Sequence, residues 1–267
     1  MDRRLRTDDV LGAITGATVR VIPRTGYSRA MTSALNDALV STWVTGWSRC
    51  RDFEVRHDGP VHASLRTGHQ STDGQDWEYI LANPDERALE AVSREVQEHP
   101  GRLLTVVGTA PAVPAGVPLK RVSWGEKLMV VDMNGQDVEA PRVPEEFEAT
   151  VERNEPDWFL LTITTSDEHP AGAGAVAARG RVAAVEGYAV FDRIWTSPDF
   201  RRQGLGSLVM RYLASLALEH DVEQGLLVAS ADGQALYGHL GWTELADVTV
   251  FGAPEDHTEN PSHSDNS

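Results

Sequence analysis

Arg201-Arg202-Gln203-Gly204-Leu205-Gly206 is the stretch on which the fold of this chain turns. Upstream, Tyr188 to Pro198 is β-branched and aromatic enough for a strand, and Pro198 closes it. Downstream, Leu205, Leu208, Val209, Tyr212, Leu213 and Leu216 recur at the spacing of one apolar helix stripe. Glycines between a strand and a helix let the backbone turn tightly and approach a ligand, while the unpaired N–H groups of the new helix point outward. Two arginines beside such a helix N-terminus make a cradle for an anion, and a pyrophosphate suits it best.

The neighbours decide which phosphate ligand is meant. A Walker-type loop needs Lys-Ser/Thr after its last glycine, but Gly206 precedes Ser207-Leu208. A dinucleotide fingerprint wants glycine or alanine three residues beyond Gly206, where Val209 stands.

Arg201-x-x-Gly204-x-Gly206 resembles the R/Q-x-x-G-x-G/A signature of the GNAT superfamily of acyl-CoA-dependent N-acetyltransferases, in particular its bacterial members with an additional N-terminal domain. Gly225 to Trp242 resembles that family's second element: a strand at Leu226 to Ala229, a short helix carrying Tyr237, and a Gly241-Trp242 ending. The resemblance covers roughly residues 122 to 252. It implies an α/β (α+β) fold, a mixed and mostly antiparallel twisted sheet flanked by helices, and acetyl-CoA as acyl donor with no metal. Arg201, Arg202, Gln203, Gly204, Leu205, Gly206 and Ser207 would bind the cofactor's pyrophosphate, and main-chain amides of Trp195 and Thr196 near a strand bulge would hold the acetyl carbonyl. Many members place an asparagine seven residues before the tyrosine; Ser230 stands there and can still donate and accept. Tyr237 is the expected general acid, and Asp192 and Glu186 are candidate bases. Asp192 could equally be one member of an ion pair beside the strand. A non-catalytic acyl-CoA sensor with the same fold is the alternative.

Net charge is −16, with 40 acids against 24 Lys and Arg, which argues against nucleic acid and favours a cationic partner. Nine acids and two arginines fall between Glu139 and Glu168, and Glu145 to Glu155 reads as a solvated acidic helix. The lone cysteine, Cys50, suits a reducing cytoplasm, and the charged segment Met1 to Val10 offers neither signal peptide nor spanning helix. The acceptor is a small-molecule or protein amine, with homodimerisation left open.

At 267 residues, two domains and a tail are expected: 1–118, 119–253 and a disordered acidic tail at 254–267. In the first, a helix over Arg29 to Cys50 stacks Leu35, Leu39, Trp43 and Trp47 on one stripe. The tryptophans read as core, or as an aromatic wall for acceptor or adenine. Strands follow at 53–57, 61–67 and 77–81, then a helix opened by Asn83-Pro84-Asp85-Glu86 and a strand at 102–107. That order echoes the middle of a GNAT core without its glycine loop, so 1–118 is either a degenerate repeat or an unrelated α/β accessory domain. Pro111 to Pro118 reads as a linker. In the second domain, a strand at 127–133, a helix at 145–154 and strands at 159–165 and 171–178 precede the motif strand. His57, His62 and His69 read as exposed loop residues with no metal spacing, His257 and His263 fall in the tail, and His220 and His239 close helices.

Overall fold

The structure, a computed structural model, describes residues 34–67, 76–109, 112 and 116–254. The first helix, α1 (Asp37–Arg49), starts later than its apolar stripe suggests because the Asn36 side chain accepts from the Leu39 N–H at 2.9 Å and caps it there. The expected stretch before residue 34 lies outside the described residues. A hairpin and third strand follow as β1 (Glu54–Asp58), β2 (Val61–Leu65) and β3 (Trp77–Ala82), all antiparallel. Helix α2 (Glu86–Glu98), capped by Asp85, crosses to β4 (Leu103–Val107), which runs parallel to β3.

After the short β5 (Lys120–Arg121) comes β6 (Glu126–Asp132), then β7 (Phe147–Asn154), β8 (Trp158–Thr165), β9 (Val176–Val185) and β10 (Tyr188–Thr196). Helix α3 (Leu205–Ala217) crosses to β11 (Gln224–Ala229), parallel to β10, and α4 (Ala231–His239) leads to β12 (Thr243–Gly252). The expected helix at 145–154 is strand β7. Its side chains alternate, with Phe147, Ala149 and Val151 packed on the core and Glu148, Thr150 and Glu152 outward, a period of two that no helix can satisfy. The strand expected at 171–178 begins at Val176, after a turn region containing Gly172 and Gly174 at positive φ. The tail beyond 254, and half of the 111–118 linker, lie outside the described residues.

All twelve strands form one sheet, ordered β1-β2-β3-β4-β12-β6-β11-β10-β9-β8-β7 with β5 beside β12. Each wing repeats one plan: three antiparallel strands, a helical crossover, and a next strand parallel to the last of the three; the second wing adds β7 outside β8. The centre exchanges strands between wings. β6 follows the first wing in sequence but pairs with β11 of the second, whereas β12 follows the second and pairs with β4 of the first. The sheet therefore runs unbroken across the expected division at 118/119, and the described chain from residue 34 is one compact unit.

Helix α1 packs against β1, β2 and β3 of one wing and β9 and β10 of the other. Leu39, Val40, Trp43, Val44 and Trp47 share a core with Ile80, Val107, Leu128, Val130, Val190, Leu226 and Val248, so α1 fills the hollow of a curved sheet. The alternate residues of the same strands face the other side. There α2 packs Leu89, Val92 and Val96 on Leu81, Leu104 and Val106. On the same side α3 packs Leu205, Val209, Met210 and Leu213 on Phe159, Leu161, Val182 and Phe191.

Gly46 lets α1 reach β10: a Cβ there would lie 2.4 Å from Val190 Cγ2. Gly46→Ala gains roughly 1 kcal/mol of helix propensity but must displace a packed strand, at a cost of about 1–3 kcal/mol or more. We expect net destabilisation in denaturant unfolding, partly recovered when Val190→Ala is added. A Gly46→Ala protein as stable as the wild type would show that α1 does not sit this close.

Candidate active site

Helix α3 opens at Gly204, which adopts φ 80° and has no side chain to cap the first turn. Arg202 precedes it at φ 64°, and Arg201, Arg202 and Gln203 are exposed, neither arginine being in an ion pair among the described residues. The first-turn amides therefore face solvent beside two free guanidinium groups, a geometry made for an anion. Gly206 lies inside that turn; a Cβ there would meet Leu236 Cδ2 at 3.1 Å and Thr196 Oγ1 at 3.8 Å. The α3 N-terminus thus abuts both β10 and α4. Ser207 follows in the same turn, and Leu205 is buried beneath it.

Strand β10 carries the expected bulge. Its pairing with β9 shifts register between Asp192 and Trp195, and Arg193 takes φ 51°. Beyond the bulge the Ser197 N–H donates to Ala177 O at 2.9 Å, so by alternation the Trp195 amide faces β9 and the Thr196 amide faces away from it. On that open side β10 and β11 pair only from Tyr188 to Val190, and part further on. A gap between two parallel strands, with a main-chain donor on its edge, can receive a carbonyl oxygen. The Trp195 side chain, 39% exposed, lies under the Arg179 guanidinium at 5.3 Å and points outward.

Tyr237 approaches from α4. It is 8% exposed, packs 6.2 Å from Trp242, and its hydroxyl makes no hydrogen bond among the described residues. Burial, then the Asp192 charge, push its phenol up to about 12. Gly241 at φ 86° ends this turn, and Trp242 N–H donates back to Tyr237 O at 3.0 Å. Ser230 is committed locally: its hydroxyl caps α4 by accepting from the Gly233 N–H at 3.3 Å.

The other face of the gap opens into a cavity of about 240 Å³ beneath the C-terminal half of α1. Trp43 and Trp47, stacked at 5.9 Å, and Arg51 form its roof, one helical turn apart. Its floor is one sheet face: Glu78 and Thr105 from the first wing, Val248 and Val250 from β12, Glu126 and Val228 from the centre, and Asp192 from β10, with Phe191, whose ring packs on the α3 side, at the edge of the opening. Both Asp192 oxygens accept from Arg51 at 2.8 Å, so this carboxylate is half of a partly buried, bidentate ion pair. Arg51 also lies 4.8 Å from the Trp47 ring centre. Glu186 does not join this group. It is exposed at the β9–β10 turn, where Thr42, in the middle of α1, donates to it at 3.3 Å.

Glu78, Thr105, Glu126 and Arg51 escape the sequence reading. The one available signal is Glu78 in Trp77-Glu78-Tyr79-Ile80, an acid two residues from the buried Ile80 and so on the same strand face. Thr105 donates to Glu78 at 2.6 Å, and burial raises the Glu78 pKa against the lowering by Thr105. Cys50, the C-cap of α1, is buried against Ala183 and Val185, and burial raises its thiol pKa well above the ordinary range. The histidines also differ from expectation: His57 and His62 face each other across β1–β2 with 2.9 Å between Nδ1 atoms, and His62 is 1% exposed on Asp37. His69, His257 and His263 lie outside the described residues. No helix among the described residues is long and apolar enough to cross a membrane.

Residues 128–242 match the acetyltransferase (GNAT) family model. They form a GNAT domain. Among solved structures, a GCN5-related N-acetyltransferase from Kribbella flavida is similar at TM-score 0.58 and 18% identity, over 85% of this chain and 98% of that one. A tandem GNAT protein from the clavulanic acid biosynthesis pathway gives 0.48 and 16%, over 73% and 79%. A GNAT-family structure from Novosphingobium aromaticivorans gives 0.48 and 15%, over 75% and 91%. No curated protein matches. The GNAT match covers the cradle, the bulge and Tyr237, whereas Trp43, Trp47, Arg51, Glu78 and Thr105 lie outside it.

A carboxyl whose ionisation burial suppresses holds its proton more tightly folded than unfolded. Its cost is absent below the ordinary carboxylate range, about pH 4.3, grows as pH rises, and is complete above the raised folded value. Glu78→Gln keeps an oxygen for Thr105, so we expect a higher melting temperature at pH 8, by about 2–4 °C for each kcal/mol relieved, and little gain at pH 4. Equal gains at both pH values would show that the buried charge is not the cost.

Proposed function

We propose that this protein transfers an acetyl group from acetyl-CoA to an amine by direct attack through a tetrahedral intermediate. The observation that carries this is the convergence of cradle, gap and Tyr237: a Cβ added at Gly206 would meet both Thr196 and Leu236, so the anion site, the end of β10 and the tyrosine helix lie side by side. Arg201, Arg202 and the α3 amides take the pyrophosphate, and Gly204 and Gly206 let it approach. The thioester then reaches the gap between β10 and β11, where the Thr196 N–H stabilises the developing oxyanion.

The raised pKa refines the part played by Tyr237. A phenol near 12 is a weaker acid than a thiol near 8.5 by roughly 3.5 units, so full transfer to a free thiolate is uphill by about 5 kcal/mol. Tyr237 therefore remains a neutral donor throughout the working pH range and stabilises the departing sulfur by a hydrogen bond. Such a bond to a charged group contributes about 1.5–3 kcal/mol.

Thiol release with acetyl-CoA over a panel of amines tests the activity. We expect Tyr237→Phe to lower kcat by about 10–100-fold with the KM for acetyl-CoA little changed. Undiminished turnover in that variant removes the donor role. CoA binding by the wild type without turnover of any amine would instead favour an acyl-CoA sensor.

Calorimetry tests the cradle separately. Gly206→Glu should lose CoA binding by more than about 100-fold, beyond the reach of one surface charge alone, while Gly206→Ala, which only nudges the tip of Leu236, keeps most of it. A folded Gly206→Glu protein with unchanged CoA affinity would defeat the assignment.

A further inference from the structure

We propose that the cavity under Trp43 and Trp47 is the acceptor site, that it takes a small amine with an apolar body, and that Glu78 holds the ammonium and removes its proton. This rests on the acyl-transfer reading above and narrows it from any amine to one class.

Three acids line the cavity, and only one is free to act at depth. Asp192 has given both oxygens to Arg51. Glu126 is only partly buried and stands at the side. Glu78 is 9% exposed, and its sole hydrogen bond among the described residues is the one from Thr105 to Oε1, which leaves Oε2 without a partner. The charged groups that act on it are Arg66 and Arg51, which favour the carboxylate, and Glu126, which opposes it. Arg66 does not close on Glu78; its guanidinium donates to Gly101 O instead. A buried carboxylate with an unpartnered oxygen at the lining of a cavity is costly unless a cation completes it. An ammonium ion does so, and the C-terminal end of α1 adds the favourable end of a helix dipole.

The walls set the rest of the ligand. Val248, Val250 and the faces of the two indoles supply apolar contact area, beside the polar groups of Thr105 and Arg51. About 240 Å³ is the volume of roughly eight waters, the size of a small molecule. Glu78 and Asp192 are on one floor, and the gap lies at Phe191 and Asp192, so an amine held here faces the thioester from the side opposite Tyr237.

The protons then balance. R–NH3+ gives one proton to Glu78, which passes it to solvent. The freed nitrogen lone pair forms the C–N bond at the acetyl carbonyl, the C–S bond breaks with its electron pair leaving on sulfur, and the second nitrogen proton ends on the thiolate.

Steady-state kinetics of the full chain with acetyl-CoA and 2-phenylethylamine, spermidine or a lysine peptide provide the test. Phenylethylamine should exceed the peptide in kcat/KM by at least about tenfold, the worth of one well-filled apolar contact. Glu78→Gln should cut kcat/KM for phenylethylamine by about 100-fold or more, on the scale of a lost general base. It should raise the amine KM and leave the acetyl-CoA KM within about twofold. It should also abolish the acid limb of the pH profile, where the wild type loses activity as Glu78 gains a proton. A merely structural Glu78 would move both KM values together and leave that limb. Wild-type amine kinetics in Glu78→Gln, or preference for the peptide, overturns the proposal.

Calorimetry of phenylethylamine on the CoA-loaded protein separates the two readings. Binding that depends on Glu78 without turnover upholds this site and defeats acyl transfer, whereas absence of amine binding to the wild type defeats the site.

Discussion

The structure depends on α1 being held from both sides. A helix whose Leu39, Val40, Trp43, Val44 and Trp47 are all buried has nearly no solvent face, and such a helix is stable only inside a closed shell of other elements. The two wings of the sheet supply that shell. Two tryptophans at 150–250 Å² each, at roughly 25 cal/mol per Å², contribute up to about 4–6 kcal/mol apiece, enough to dominate the local balance. Gly46 sets how deep α1 can sink onto Val190, and that depth brings Arg51 to Asp192 and leaves a cavity rather than a solid core beneath Trp47.

Strand exchange at the centre explains why the cavity takes residues from distant parts of the sequence. Since β12 zips onto β4 while β6 zips onto β11, Glu78 and Thr105 of the first wing share a floor with Val248 and Asp192. Separating the wings would strip β4 and β11 of a partner each and expose open edges. Both wings are therefore one folding unit, and geometry between them is as fixed as geometry within either.

What the sequence made legible was local. Gly204 at φ 80°, the Asp85 cap of α2, and the Gly241 stop after Tyr237 all follow from chemistry confined to a few neighbouring residues. β7 resembles a helix in sequence for the same reason: its five charged and polar positions suggest a solvated helix by composition, whereas their alternation with Phe147, Ala149 and Val151 is visible only when period outweighs charge. Glu78 and His62 were out of reach because burial is non-local. His62 is sealed by Asp37 and His57 across a hairpin, and Glu78 matters only once β4 and α1 enclose it. Asp192 was legible as either base or ion-pair partner, and the residue that separates the two, Arg51, lies 141 positions away.

The two wings share a plan yet differ where their crossover helices begin, and that difference divides their labour. α3 starts at a glycine with no capping side chain, beside Arg201 and Arg202, and leaves its amides to a ligand. α2 starts at Asp85, whose carboxylate accepts from the Ala88 N–H at 2.7 Å. That carboxylate occupies the place an external phosphate would take and carries the charge that would repel one. The first wing thus satisfies its helix end internally and cannot cradle a second pyrophosphate there. Its concave face, freed from any donor's nucleotide, is where a buried acid and two tryptophans can be arranged around something much smaller.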